Sequence, residues 1–269
     1  MRLKNNIKFW RFNVGEIEFS TLPVFMGIVN VTPDSFSDGG KYFDDSAAIQ
    51  HALELIDSGA GIIDVGGEST RPDSDSISAE EELRRVVNVI VGIRKANKNI
   101  PISIDTNKTI VAKESIDAGA NIINDIFSAE DTGMIQLLLD TKAAICIMHR
   151  QGNPKTMQNN PVYEDVVSEV WNYLNQRRNE LIESGVSSDR IAVDPGLGFG
   201  KTSDHNWSLV ENIERFTEID APLLVGHSRK RFIAAKFIDR EEGTKIITQQ
   251  LIKKGVNIIR IHEIHKEYL

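Results

Sequence analysis

Eight short apolar, β-branched runs recur along the chain, and each carries a polar side chain at or near its end. They are MGIVN at Asn30, GIIDV around Asp64, PISID at Asp105, NIIND at Asn124, ICIMH at His149, RIAVD at Asp194, LLVGHS at Ser228, and NIIRIH with Arg260 and His262. A strand buried on both faces reads as a nearly continuous Val/Ile/Leu run, whereas a half-exposed strand alternates. Such runs, separated by helical patterns, predict an α/β fold, a parallel (β/α)8 TIM barrel with its chemistry at the strand ends.

The intervening segments support this. DDSAAIQHALELIDSG, AEEELRRVVNVIVGIRKANK, YEDVVSEVWNYLNQRRNELIESG and their counterparts have helical patterning, and Gly59, Gly119, Gly185 and Gly255 stand where left-handed C-terminal caps are expected. Ahead of the first run, IKFWRFNVGEIEF alternates around Asn-Val-Gly, which predicts a small hairpin within an N-terminal extension, residues 1–22, able to plug the lower end of the barrel. Only a few residues follow the eighth run, so the eighth helix is expected to be missing or truncated. A neighbouring helix, a subunit contact or a lost C-terminal piece would then have to cover that flank, because a bare sheet face exposes apolar surface.

At 269 residues the chain fits a single barrel domain, residues 1–269, and its net charge of −8 argues against a phosphate-backbone binder. The one cysteine, Cys146, lies in AAICIM and reads as a buried small hydrophobe, consistent with a reducing, cytoplasmic compartment. No run approaches the roughly 18 apolar residues of a membrane span.

Among the polar positions, Asp105, Asn124 and Asp194 offer acceptors suited to a flat heterocycle with several N–H donors. Any one strand-end Asp reads equally well as a cap on the following helix. Asn124 and Asp125 must face opposite ways, so only one looks into the mouth. Arg260 and His262 share a face, and Lys230 lies at the neighbouring strand end, where barrel enzymes often hold phosphate. The loop NVTPDSFSDGGKYF carries Phe36 among turn formers, and GGESTRPDS sets Arg71 between Thr70 and Pro72. GLGFGKT is not a phosphate loop, since only three residues separate Gly196 from Gly200. His149 has no second ligand at metal spacing and reads as structural.

In order, MGIVNVTPDSFSDGG, IIDVGGESTRP, SIDT, INDI, MHRQGNPKTM, DPGLGFGKT, SRK and IIRIH resemble the dihydropteroate synthase family across residues 24–264. The resemblance implies a transferase of folate biosynthesis that joins 6-hydroxymethyl-7,8-dihydropterin diphosphate to p-aminobenzoate, with Mg²⁺. It implies pterin recognition by Asp105, Asn124, Asp194 and Lys230, a metal site at Asn30 with Asp64 close behind, and a diphosphate clamp of Arg71, Arg260 and His262. Phe36, Thr70, Pro72 and Ser228 resemble the p-aminobenzoate side, with Phe199 among the substrate-binding positions. It also implies sulfonamide inhibition and leaves open a homodimer through the late helices. Neither a nucleic acid nor a membrane is an expected partner.

Two other readings share the pterin pocket: a methyltransferase holding methyltetrahydrofolate, and a non-catalytic pterin-binding homologue. The first has no use for NVTPDSFSDGG and GESTRP, and the second has no need of both halves of a two-substrate site. Two residues depart from the family pattern: Glu263 replaces the usual Asp, and His227 precedes SRK. The sequence leaves His227 as either a pH-sensitive group or a hydrogen-bonded structural one.

Overall fold

The computed structural model describes residues 7–19, 23–32, 45–69, 74–153 and 155–268. Eight parallel strands form one sheet: β3 (Val24–Asn30), β4 (Ile62–Gly66), β5 (Ile102–Asp105), β6 (Ile122–Asp125), β7 (Ala144–Met148), β8 (Ile191–Asp194), β9 (Leu224–Gly226) and β10 (Ile258–Ile261). Their order is β8-β7-β6-β5-β4-β3-β10-β9, and a parallel bridge from Val193 to Leu223 joins the two outer strands. The sheet thereby closes into a barrel, which removes its edges.

A hairpin of β1 (Phe9–Phe12) and β2 (Gly15–Glu18) precedes the barrel, pairing Trp10 with Ile17. Trp10, Ile17 and Phe19 are buried with Met26, Ile62, Ile122, Ala144, Cys146, Ala192, Leu224 and Ile258. Those eight residues belong to the N-terminal parts of the barrel strands, so the hairpin seals that end, as its alternation predicts. Trp10 also donates its indole N–H to the Arg190 carbonyl at 3.0 Å, which satisfies the polar edge of a fully buried ring.

Seven α-helices are described: α1 (Asp45–Asp57), α2 (Ala79–Ala96), α3 (Thr109–Asp117), α4 (Met134–Thr141), α5 (Val166–Glu183), α6 (Ser203–Glu211) and α7 (Arg240–Lys253). Side-chain caps start several of them. Ser78 accepts from the Glu81 amide, Asp165 from Val167 and Ser168, and Asp239 from Glu241, each filling donors a helix start leaves unpaired. Gly59, Gly119, Gly185 and Gly255 all have positive φ, as their positions predict. The other three end differently: α4 places Lys142 in the left-handed position, while α2 and α6 end on Asn97 and Asn212 with negative φ.

After β10 the described chain makes only a 3-10 turn, Lys266–Tyr268, where an eighth helix would stand. The flank is nevertheless covered from within. Tyr268 is buried and stacks on Phe25 of β3 at 5.8 Å between ring centroids, a pairing worth about 0.5–1.5 kcal/mol beyond its buried area. Among the described residues, no helix is long and apolar enough to cross a membrane.

Candidate active site

Strand alternation decides which polar residues enter the barrel mouth. With Met26, Ile62, Ile122, Ala192 and Ile258 facing the interior, the two-residue period turns Asn30, Asp64, Asn124, Asp194, Arg260 and His262 the same way. The register sets Gly66 beside Asn30 and Asp105, and Asp105 beside Asn124. Asp125 faces outward, accepting from the amides of Phe127 and Ala129 at 2.8 and 2.7 Å. It is the strand-end aspartate that merely caps the next turn.

At the centre lies Arg260. Its Nε donates to Asp64 Oδ2 at 2.6 Å and its Nη2 to Asp105 Oδ2 at 2.8 Å. Asn124 Nδ2 adds a donor to Asp64 Oδ2 at 3.1 Å. Asp64 is wholly buried, and among the described residues its other oxygen, Oδ1, has no hydrogen-bond partner. A buried acceptor left unpaired costs about 1–3 kcal/mol, which a ligand N–H at that position would recover. Burial pushes the Asp105 carboxyl up to about 7 against the pull of Arg260, with the Asp64 charge adding to the rise. Arg260 itself stays cationic: burial opposes its charge, and the two carboxylates more than offset that.

A second group sits across the mouth. Asp194 Oδ1 accepts from the Gly196 amide at 2.8 Å, and burial raises its carboxyl against the opposing charge of Lys230. Lys230 donates to the Leu197 carbonyl and holds its Nζ 4.8 Å from the centre of the Phe199 ring. Burial brings its ammonium down to about 8, with Asp194 resisting. Ser228 Oγ and His262 Nδ1 share a hydrogen bond of 2.9 Å, joining the ends of β9 and β10.

Residues 26–262 match the family model described as pterin binding enzyme. The chain is 43% identical over 246 residues to the dihydropteroate synthase of Escherichia coli strain K12, covering 90% of this chain and 87% of that one. A structure of Yersinia pestis dihydropteroate synthase in complex with a sulfonamide drug superposes with a TM-score of 0.89 at 36% identity, covering 95% of this chain and 94% of the other. A structure of the Xanthomonas albilineans dihydropteroate synthase with 7,8-dihydropteroate superposes with a TM-score of 0.82 at 34% identity, covering 93% and 90%. The chain belongs to the dihydropteroate synthase family.

Of the positions that the dihydropteroate synthase motifs single out, Asn30, Asp105, Asn124, Asp194, Phe199, Ser228, Lys230 and His262 lie at or near the C-terminal ends of barrel strands or in the loops that follow them, while Asp64 and Arg260 lie within their strands. Phe36, Thr70, Arg71 and Pro72 lie outside the described residues. After β4, Glu68 pairs with Lys108, which also pairs with the buried Glu82 of α2. The Arg260 guanidinium is engaged by Asp64 and Asp105.

Other expectations resolve individually. His227 points out of the barrel and is fully buried, its Nε2 within 2.8 Å of Thr248 Oγ1 on α7. Burial holds its imidazole down to about 4, which makes it the hydrogen-bonded structural histidine of the two readings. Glu263 pairs with Arg229, which also meets Glu241. Glu241, Glu263 and His265 lie close enough together to hold a metal, but Arg229 already answers the two carboxylates. One residue escaped the sequence reading. Lys201, the lysine of GLGFGKT, turns inward and is buried against backbone carbonyls. The signal available for it was the non-Walker spacing itself, which leaves that lysine without a phosphate to reach.

Proposed function

We propose that this mouth is the working site for the family reaction, with the pterin held by Asp105, Asn124, Asp194 and Lys230 over the Asp64–Arg260 pair. The unpaired Asp64 Oδ1 carries the reading, because a buried acceptor below a ring of acceptors suits the amino and ring N–H groups of a pterin. Lys230 can donate to the pterin carbonyl while Asp194 accepts.

In the reaction, the bond from the pterin methylene carbon to the diphosphate oxygen breaks, and pyrophosphate leaves with the electron pair. The methylene cation is delocalised into the ring, where Asp105 and Asp194 stabilise its positive charge. The aryl amine of p-aminobenzoate then attacks the methylene carbon and releases a proton. His262 and Arg71 are assigned to the leaving diphosphate, and Phe36, Thr70, Pro72, Phe199 and Ser228 to the arylamine side.

For Mg²⁺, the donor chemistry at Asn30 fits. A side-chain carbon on Gly66 would lie 3.9 Å from Asn30 Oδ1 and 3.8 Å from Asp105 Oδ2, so two hard oxygen donors border the space beside that glycine. Asn30 would hold the ion, with substrate oxygens completing its shell. An ion held there would supply positive charge to the diphosphate.

The test follows pyrophosphate and dihydropteroate formation by the purified chain with dihydropterin diphosphate, p-aminobenzoate and Mg²⁺. Dihydropteroate that needs both substrates, and that stops on chelation of the metal by EDTA, supports the reading; a sulfonamide should compete with p-aminobenzoate. Pterin binding without turnover points to the non-catalytic homologue, and methyl transfer from methyltetrahydrofolate points to the methyltransferase. Pairing of two copies through the late helices is a separate proposal, measured by sedimentation.

A further inference from the structure

The loop between β8 and α6, residues 195–202, is built around a lysine that no part of the proposed reaction uses. Lys201 is 3% exposed, and its Nζ lies 2.9 Å from the Gly196 carbonyl, 3.0 Å from the Phe199 carbonyl, 3.3 Å from the His149 carbonyl and 3.0 Å from His149 Nδ1. Among the described residues no carboxylate lies within ion-pair distance of it. An ammonium has three N–H donors and no acceptor, and four acceptors converge on this one. With Lys201 as the ammonium, His149 Nδ1 is the unprotonated ring nitrogen. Burial and the Lys201 charge hold the His149 imidazole down to about 2, consistent with a neutral ring. Burial also pulls the Lys201 ammonium well below its ordinary range while Asp194 resists, and the all-acceptor cage fits only the protonated form.

The backbone around this group has no freedom to form the cage another way. Gly196 and Gly200 both have positive φ, and side-chain carbons on them would lie 2.0 Å from the His149 carbonyl oxygen and 2.3 Å from that of Gln151. The loop lies flat against the β7–α5 connection, so its carbonyls must divide between two directions. Those of Gly196 and Phe199 turn to Lys201, and that of Leu197 turns to Lys230. The Gly196 amide meanwhile donates to Asp194.

We propose that Lys201 is a positioning residue, a tethered internal cation that does the work of a monovalent ion in a carbonyl cage and so holds Asp194 and Lys230 in their working geometry. Its effect on pterin rests on the functional reading above. Lys201 does not touch the mouth itself, and acts through the one loop that both residues share.

Lys201→Ala removes the equivalent of propylammonium and leaves the cage lined by acceptors. Titration with 6-hydroxymethylpterin, on protein shown to be folded by circular dichroism, is expected to give at least about tenfold weaker binding than the unaltered chain. Propylammonium chloride at constant ionic strength should recover at least about a third of the loss. Tetramethylammonium, which has the charge but no N–H, should recover none. An affinity within twofold of the unaltered chain, or equal recovery by both cations, overturns the proposal. Should Lys201→Ala not fold, Lys201→Gln, which keeps a shorter neutral donor, takes its place in the same titration. On the unaltered protein, ¹⁵N spectra of His149 should keep Nδ1 unprotonated from pH 8 to pH 5; titration near its ordinary value overturns the cage. If the unaltered chain binds no pterin, the functional reading fails, and the His149 spectrum still decides the cage.

Discussion

Replacing Arg260 by Met tests the centre of the site most directly. The change keeps the stem and removes the one cation that answers both Asp64 and Asp105, at 2.6 and 2.8 Å. Breaking a buried ion pair from one side costs about 3–5 kcal/mol, because the remaining charge keeps its desolvation penalty. At about 2–4 °C per kcal/mol for a chain of this order of size, the melting temperature should fall by roughly 6–20 °C at pH 8. The loss carries a pH signature. Burial already pushes the Asp105 carboxyl up to about 7, and removing Arg260 pushes it further. A carboxyl with a folded pKa above its unfolded value stabilises the fold fully below the unfolded pKa of about 3.9, and loses that contribution as pH rises through the folded value. The gap between Arg260→Met and the unaltered chain should therefore be widest above pH 7 and narrow toward pH 5. Thermal melts followed by circular dichroism at four pH values measure it. Arg260→Lys, a point charge unable to fork between two carboxylates, should fall between them. A gap under about 3 °C at pH 8, or one constant with pH, refutes the reasoning.

Trp10→Ala should lower stability by about 3–5 kcal/mol in urea unfolding, while the folded fraction binds pterin with unchanged affinity, because the plug and the mouth are at opposite ends. Asp105→Asn should cut turnover roughly 10- to 100-fold, whereas Asp125→Asn should stay within about threefold, since only the first faces the mouth; steady-state rates separate them. His227, held down to about 4, stabilises the fold fully above its unfolded value of about 6.5 and loses that as pH falls through 4. Comparing melting temperatures at pH 7 and pH 4.5, His227→Gln should show a smaller drop than the unaltered chain.

The strand ends were legible because alternation and burial act locally. Two positions of β6 are enough to send Asn124 inward and Asp125 outward, and four glycines mark helix ends for the same local reason. What escaped depends on distance along the chain. Arg260 meets Asp64 and Asp105 across 196 and 155 residues, so nothing near IIRIH reveals that its guanidinium is shared with carboxylates. Lys201 was illegible because its cage consists mainly of backbone carbonyls, which every sequence possesses. At the end of α4 the left-handed position is taken by Lys142, a residue with no glycine signal to mark it. The packing of Tyr268 on Phe25 was not legible, because those two residues lie at opposite ends of the chain.

The place of β10 in the sheet has a consequence for how the chain assembles. β10 lies between β3 and β9, registering Ile258 with Val24 on one side and Leu224 on the other. Eighth of the barrel strands in chain order, it functions as a keystone. A ribosome-bound intermediate that has made the first seven has β3 and β9 facing each other across a missing stave. Arg260, supplied by that same strand, reaches Asp64 and Asp105 only as the stave drops in, so ring closure and charge neutralisation of the mouth are one event. Chains ending before residue 257 should therefore hold an open crescent, and supplying the missing strand should convert it cooperatively into the closed form.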